Sequence, residues 1–132
     1  MVHDDEGHAA MTDMPDIMRL AAGAARHAAA RQAVIAVNVA NADTPGFRAQ
    51  DITPFAPDDA FAMRTTRANH LMGGRFGSEA FELRDIAADP NGNTVDLEDQ
   101  VLRGIEASRR HDRALTIYSS ALDVLRASIG KR

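Results

Sequence analysis

The sequence of 132 residues has no cysteine and no tryptophan, and it contains only one tyrosine and five phenylalanines. Without thiols it can form neither a disulfide nor a cysteine nucleophile, and so few rings argue against a large aromatic core. No run of about 18 apolar residues is present, so no transmembrane helix is expected. Residues 1–6 are acidic, whereas a cleavable secretory signal begins with basic residues. We therefore expect any export to follow another route.

Residues that bind nucleic acid, metals or cofactors are also scarce. The formal net charge is −4, and a nucleic-acid-binding protein usually concentrates basic residues on one face. The five histidines lack the spacing of a metal site, and the glycine-rich stretch 72–77 lacks the ending of a phosphate-binding loop. The pair Asp58-Asp59 is interpreted as the cap of a short helix. We predict no enzyme activity, no catalytic residue, no metal, no cofactor and no small-molecule substrate.

The first periodic segment predicts a helix over residues 13–41, preceded by a flexible tail at 1–11. Thr12 or Asp13 can cap this helix, and Pro15 fits its first turn. Alanine is abundant from residue 21 to 42, and small side chains let helices approach closely. Small and apolar positions recur at steps of four and three, as in a helix-packing seam: Met14, Met18, Ala21, Ala25, Ala28, Gln32, Ile35 and Val39.

Residues 42–93 are predicted to form a sharp turn followed by an irregular loop region. Pro45 removes a backbone donor and ends the helix. A proline followed by Gly46 fits a type II turn, since glycine adopts positive φ at little cost. Short extended pieces are expected at 50–55 and 80–86, and a short helix at 57–63.

A second helix is predicted over residues 94–130, with Thr94 or Asp96 as its cap and acidic residues in its first turn. Its predicted seam has the same steps of four and three residues: Leu97, Val101, Gly104, Ser108, His111, Leu115, Tyr118, Leu122, Leu125 and Ile129.

Together these elements predict a single, mainly α domain, in which the two long helices pair as an antiparallel coiled-coil-like hairpin. Each helix has an apolar stripe and is not stable alone in water. Because the stripes are wider than one partner helix can cover, we expect neighbouring copies of the chain to cover the remainder.

The segment 31–49 resembles the N-terminal signature of the flagellar rod and hook proteins, in which a long helix ends in an Asn-x-x-Asn…Thr-Pro-Gly-aromatic turn. The turn residues are Asn38, Asn41, Asp43, Thr44, Pro45, Gly46 and Phe47. We expect the side chains of Asn38 and Asn41 to bond the carbonyls freed at the helix end. Residues 91–98 resemble the family's entry into the C-terminal helix, with Asn93, Thr94, Val95 and Asp96 at the matching positions. Within this family, the chain looks most like the members that form the proximal rod.

This resemblance implies a structural subunit of the bacterial flagellar basal body, needed for motility. Such subunits stack through their terminal helices into a helical tube that spans the periplasm, transmits torque and conducts exported subunits. They leave the cell through the flagellar type III apparatus without a cleavable signal. The implied partners are other copies, other rod proteins, the basal-body adaptor protein, the membrane ring and the export gate. The alternative is a soluble helical adaptor or chaperone-like protein-binding module, which would be a stably folded monomer.

Overall fold

The computed structural model describes the backbone of residues 4–57 and 79–130, with side chains from residue 13 onward. Helix α1 spans Asp4–Ala40, strand β1 spans Gln50–Ile52, strand β2 spans Ala80–Glu82, and helix α2 spans Leu97–Gly130. The two helices pack against each other along their length, as the mainly α hairpin predicted from the sequence requires. No described helix is long and apolar enough to cross a bilayer. The short helix predicted at 57–63 lies almost wholly outside the described residues.

Helix α1 begins at Asp4, nine residues before the predicted start, so the part of the predicted flexible tail from residue 4 onward is helical instead. Acidic residues at 4–6 place negative charge at the positive end of the helix dipole. Alanine and methionine at 9–11 are good helix formers. Pro15 therefore lies inside the helix, where its missing N–H removes one intrahelical hydrogen bond.

Helix α2 begins at Leu97, three residues later than predicted, and Asp96 is its cap. The Asp96 carboxylate accepts hydrogen bonds from the backbone N–H groups of Glu98, at 3.0 Å, and Asp99, at 3.4 Å. Glu98 and Asp99 then add negative charge to the first turn, where it interacts favourably with the dipole. Thr94, the other candidate cap, has a different role that is described below.

The connection between the helices contains a two-stranded antiparallel sheet. Gln50 pairs with Glu82, Asp51 with Phe81, and Ile52 with Ala80. Both strands fall within the extended pieces expected from the sequence, although each is only three residues long. An isolated pair of strands is marginal in water, and β1 packs against α1 on its other side.

The helices run antiparallel, because residues late in α1 lie opposite residues early in α2. Asn38 bonds Gln100, and Ile35 lies beside Gly104. The contact is built from small side chains: Ala21, Ala25 and Ala28 on α1, and Ala107, Ala114 and Ala121 on α2, all at most 8% exposed. Alanines seven residues apart form one line along a helix, and they let the two backbones approach closely.

Candidate functional site: the polar junction and the exposed helix faces

The two motifs singled out in the sequence bind each other at the closed end of the hairpin, where the chain leaves α1 and enters α2. The N–H of Gly46 donates to the carbonyl of Asn91 at 3.0 Å, and the N–H of Thr94 donates to the carbonyl of Phe47 at 3.0 Å. The Thr94 hydroxyl accepts a hydrogen bond from the N–H of Ala49 at 2.8 Å. We call residues 38–51 and 91–103 the polar junction.

Asn93 is the central side chain of this junction and is 1% exposed. Its amide nitrogen donates to the carbonyls of Asn41, at 2.9 Å, and Thr44, at 2.7 Å. Its side-chain oxygen accepts from the N–H of Val95 at 2.7 Å. The carbonyls of Asn41 and Thr44 each accept one backbone N–H as well, so Asn93 supplies their second hydrogen bond. The N–H of Val95 is buried just before α2, and leaving such a group unpaired would cost about 1–3 kcal/mol.

Two glycines with positive φ let the motifs approach closely. Gly46 has φ of 73° and Gly92 has φ of 84°. The N–H of Phe47 donates to the carbonyl of Thr44 at 3.2 Å, so the turn has the hydrogen bond and the left-handed glycine that a type II turn requires. A Cβ at Gly92 would lie 3.4 Å from the Cα of Gly46, in van der Waals contact, so the positive φ rather than lack of space favours glycine there.

Asn38 has a different role from the one expected of it. We expected Asn38 and Asn41 to bond free carbonyls at the helix end. The side chain of Asn41 does donate to a carbonyl of the last turn, that of Val37 at 2.8 Å, which also accepts from the N–H of Asn41. The fully buried Asn38 instead donates to the carbonyl of Gln50 at 2.7 Å, accepts from its N–H at 3.0 Å, and donates to the side chain of Gln100 at 2.9 Å. Asn38 therefore joins α1 to both β1 and α2.

A cluster of charged side chains lies next to this amide group. Asp51 on β1 is held by two arginines, Arg31 from α1 at 3.1 Å and Arg103 from α2 at 2.6 Å. Arg103 also bonds Asp99 at 2.7 Å, and Arg31 lies 3.5 Å from Glu106. The buried carboxylate of Asp51 is thus bonded to both helices, and its charge is compensated from both sides.

The pKa values in this cluster follow from the same contacts. Burial is the largest single effect and acts to raise the pKa of Asp51, while hydrogen bonds from Arg31 and from the N–H of Ile52 act to lower it. With the charges of Arg31 and Arg103 added, the pKa of Asp51 falls below its ordinary value. Burial acts to lower the pKa of Arg31, but its bonds and attraction to Asp51 and Glu106 raise it overall. Asp51 is therefore ionised in the folded chain at neutral pH.

Sequence reasoning missed Arg31, Asp51, Arg103 and Gln100. Nothing in a single sequence indicates that Asp51 meets arginines 20 residues before it and 52 residues after it. A signal did exist for Gln100, because it lies seven residues before Ala107 and so falls in line with the alanines of α2. Gln100 is fully buried, and its amide nitrogen has no hydrogen-bond partner among the described residues.

The predicted seam of α1 lies largely in the contact between the helices. Ile35 is buried together with the seam alanines, Met18 is half-buried, and Val39 at the end of the helix is 44% exposed. On this helix the small and apolar positions at steps of four and three coincide with the buried stripe.

The large residues of the predicted seam of α2 lie outside the closest contact between the helices, although the seam position Gly104 lies beside Ile35 of α1. The buried line runs through Gln100, Ala107, Ala114 and Ala121. Successive residues of a helix are turned by about 100°, so the larger residues of the predicted seam lie to one side of this line, up to about a quarter turn away. Leucine, tyrosine and isoleucine are too bulky to replace alanine in so close a contact. We call these residues the outer ridge: Leu97 (52% exposed), Val101 (59%), Leu115 (48%), Tyr118 (37%) and Ile129 (72%), with the half-buried Leu122 and Leu125 between them.

The described residues offer no geometry for catalysis or metal binding. No group of three or more acidic or histidine side chains there is arranged to hold a metal ion. Two open grooves of about 780 and 690 Å³ flank the segment 81–89. Their walls are mixed in charge and largely exposed. What the described structure does offer is a rigid junction and long, uncovered helix faces.

Comparison with known proteins identifies the family of this chain. The family model of flagella basal body rod proteins matches residues 18–48. The flagellar basal body rod protein FlgB of Agrobacterium fabrum is 32% identical over 115 residues, which span 79% of this chain and 85% of that protein. FlgB of Salmonella typhimurium is 31% identical over 109 residues, covering 71% of the chain and 78% of the relative.

The chain belongs to the FlgB family of flagellar basal body rod proteins.

A shorter match to FlgB of Proteus mirabilis reaches 45% identity over 91 residues. The part of the chain matched by the rod family model runs from Met18 through the second half of α1 and the whole Thr44-Pro45-Gly46 turn. In this FlgB-family chain, that part supplies Asn38 and Asn41 to the polar junction, and it supplies Arg31 to the charged cluster around Asp51. The family match and the buried hydrogen-bond network therefore fall on the same stretch of sequence.

Proposed function

We propose that the chain is a structural subunit of the proximal flagellar rod, and that it assembles through its terminal helices into a helical tube. Its place among the rod proteins rests on family membership. Self-assembly through the helices is supported by one observation above all: the large apolar residues of α2 lie outside the contact with α1. Val101, Leu115 and Ile129 are 59%, 48% and 72% exposed.

The free energy involved supports the same proposal. A fully buried Leu or Ile side chain is stabilised by roughly 1.5–3 kcal/mol relative to an exposed one. The outer ridge presents several such side chains along about 51 Å of helix, so covering it in an assembly would contribute substantially. A contiguous exposed apolar surface of this kind is typical of an interaction site.

In the assembled rod, the polar junction would fix the angle at which the two helices leave the turn. The tube would then transmit torque through many helix contacts and conduct exported subunits along its axis. We expect the type III apparatus to export the chain without a cleavable signal, into the periplasm-spanning part of the basal body. The proposed partners are other copies, the next rod proteins, the basal-body adaptor, the membrane ring and the export gate.

A single charge on the outer ridge tests this proposal. Leu115→Asp should prevent self-association, because a carboxylate would have to be buried without a partner at the subunit contact. Ser120→Asp adds the same charge at an exposed position on another face of α2 and should leave association intact. Sedimentation of the purified chains and motility of cells carrying them are the readouts.

Motile cells with normal rods in the Leu115→Asp strain would contradict assembly through the outer ridge. A purified wild-type chain that stays monomeric and fully folded at every concentration would instead favour the adaptor alternative.

A further inference from the structure

A second uncovered strip on α2 is formed by Leu102, Ile105 and Arg109, which are spaced by three and four residues and so share one face. Leu102 is 68% exposed and Ile105 is 46% exposed, and Arg109 is exposed as well. This strip lies away from the alanine line that contacts α1. It presents two apolar side chains followed by a positive charge.

A strip of matching pattern lies near the start of α1. Leu20, Ile17 and Asp13 are also spaced by three and four residues, and again two apolar side chains are followed by a charge, here negative. Leu20 is half-buried, Ile17 is 37% exposed and Asp13 is exposed. Further along the same side of α1, His27 is covered by the connection, since its Nε2 lies 2.6 Å from the carbonyl of Thr53 and its ring packs on Phe55.

The two strips cannot meet within one chain. Asn38 lies opposite Gln100, so in the antiparallel pair Asp13 lies opposite the part of α2 near residue 125. That is about 24 Å along the helix from Arg109, at 1.5 Å per residue. Neither Asp13 nor Arg109 takes part in an ion pair among the described residues.

The residues near Asp13 are acidic, like Asp13 itself, and those near Arg109 carry a small net positive charge. Residues 4–16 contain Asp4, Asp5, Glu6, Asp13 and Asp16 and no lysine or arginine. On α2, Arg109, Arg110 and Arg113 are accompanied by Glu106 and Asp112, which leaves a formal charge of +1 over these five charged residues. Arg110 is paired with Glu106 at 2.7 Å. Opposite charges on two surfaces favour their encounter and fix their register more than they add affinity.

We propose that the start of α1 in one copy docks on the Leu102–Ile105–Arg109 strip of a second copy. This proposal rests on the proposed self-assembly and names the surfaces that meet. Copies that point in the same direction place α1 of one antiparallel to α2 of the next. In that arrangement Leu20 lies against Leu102, Ile17 against Ile105, and Asp13 against Arg109. The copies would be offset by about 16 residues, or 24 Å.

A charge swap within one chain tests the contact. Arg109→Glu should weaken self-association roughly fivefold at low salt, since an exposed ion pair is replaced by a repulsion. The double variant Asp13→Lys with Arg109→Glu carries the pair in reversed order and should restore wild-type association. Asp123→Lys changes an exposed charge elsewhere on α2 and serves as the matched control. Sedimentation at low and high salt measures association, and circular dichroism checks folding.

The absence of cysteine permits a direct second measurement. Chains carrying Asp13→Cys and chains carrying Arg109→Cys, one of them tagged to change its mass, should form a mixed disulfide under mild oxidation. Asp13→Cys mixed with Asp123→Cys should form far less. If wild-type copies associate but the swap does not restore binding and the mixed disulfide is no stronger than the control, this contact is wrong and self-assembly stands. If wild-type copies never associate, both proposals fail.

Discussion

The closed end of the hairpin and its two long arms are held together by different kinds of contact. At the closed end, Asn38, Asn93 and Asp51 are each at most 6% exposed. Asn38 and Asp51 each bond partners on two elements, and Asn93 joins the turn after α1 to the segment before α2. Along the arms, the contact consists mainly of alanines, which bury little area per residue. The closed end thus has directional bonds that need no second molecule, whereas the arms leave their largest apolar side chains uncovered. The difference suggests a subunit with one rigid, self-sufficient end and two arms completed by neighbours.

The largest expected loss of stability comes from removing the amide at the centre of the closed end. Asn93→Ala would leave the N–H of Val95 without its partner. It would also remove the side-chain hydrogen bonds to the carbonyls of Asn41 and Thr44, each of which would keep one bond from a backbone N–H. We expect the free energy of unfolding to fall by about 3 kcal/mol, measured by urea denaturation. Asn91→Ala removes an exposed asparagine side chain that makes one hydrogen bond, to the N–H of Asn93, and should cost less than half as much. Equal losses would contradict the central role of Asn93.

Substitutions at two adjacent positions on α2 test how much the inner and the outer face of the helix contribute to stability. Ala114→Leu would force a large side chain into the close contact with α1 and should cost about 2 kcal/mol. Leu115→Ala removes a large side chain that is 48% exposed, and should change the stability of the free chain by less than about 0.5 kcal/mol. Thermal unfolding of the monomer distinguishes them. If Leu115→Ala lowered the melting temperature more than Ala114→Leu, the predicted seam, rather than the alanine line, would form the contact with α1.

Positions 114 and 115 also show what could and could not be predicted from the sequence of α2. The periodicity of α2 located the helix and its apolar residues, but it could not tell the inner face from the outer one. Large apolar residues were assumed to face the partner helix, whereas close packing selects the smallest side chains. On α1 the small residues themselves formed the periodic pattern, so the predicted seam and the buried line coincide there.

The turn was predictable for a local reason and the junction was not. Thr44-Pro45-Gly46 contains the residues that one turn type demands, so its geometry can be read from three positions. The bonds from Asn93 to Asn41 and Thr44 span about 50 residues, and no periodicity connects them. The early start of α1 was missed because Pro15 was taken to lie in the first turn, although a long helix can accommodate it at a cost.

A pH titration tests whether Asp51 contributes to the closed end in its ionised form. The pKa of Asp51 is lower in the folded chain than its ordinary value of 3.8, so the unfolded chain binds its proton first as the pH falls. Its stabilising contribution is complete above pH 3.8 and is lost as the pH falls through the lower, folded pKa. Urea denaturation between pH 5 and pH 2 should therefore show a smaller decline for Asp51→Asn than for the wild type. Identical slopes would show that Asp51 is not coupled to folding.

A smaller effect is expected from the turn glycine. At Gly46 φ is +73° and nothing lies within 4 Å of an added Cβ, so Gly46→Val should cost about 1–2 kcal/mol through backbone strain alone. Gly46→Asn should cost less, because asparagine tolerates this conformation. At Gly130 there is equal space and no positive φ, so Gly130→Val is the matched control for the added side chain. Chemical denaturation compares the three, and equal effects at both glycines would rule out the strained turn.

Amide hydrogen exchange of the purified monomer tests the contrast between closed end and arms most directly. The N–H groups of Gly46, Gln50 and Val95, all bonded within the junction, should exchange slowly in the free chain. Amides in the outer halves of the helices, over residues 13–24 and 115–129, should exchange much faster and become protected only when copies associate. Equal protection along both helices in the monomer would contradict the account, because the arms would then be stable without neighbours.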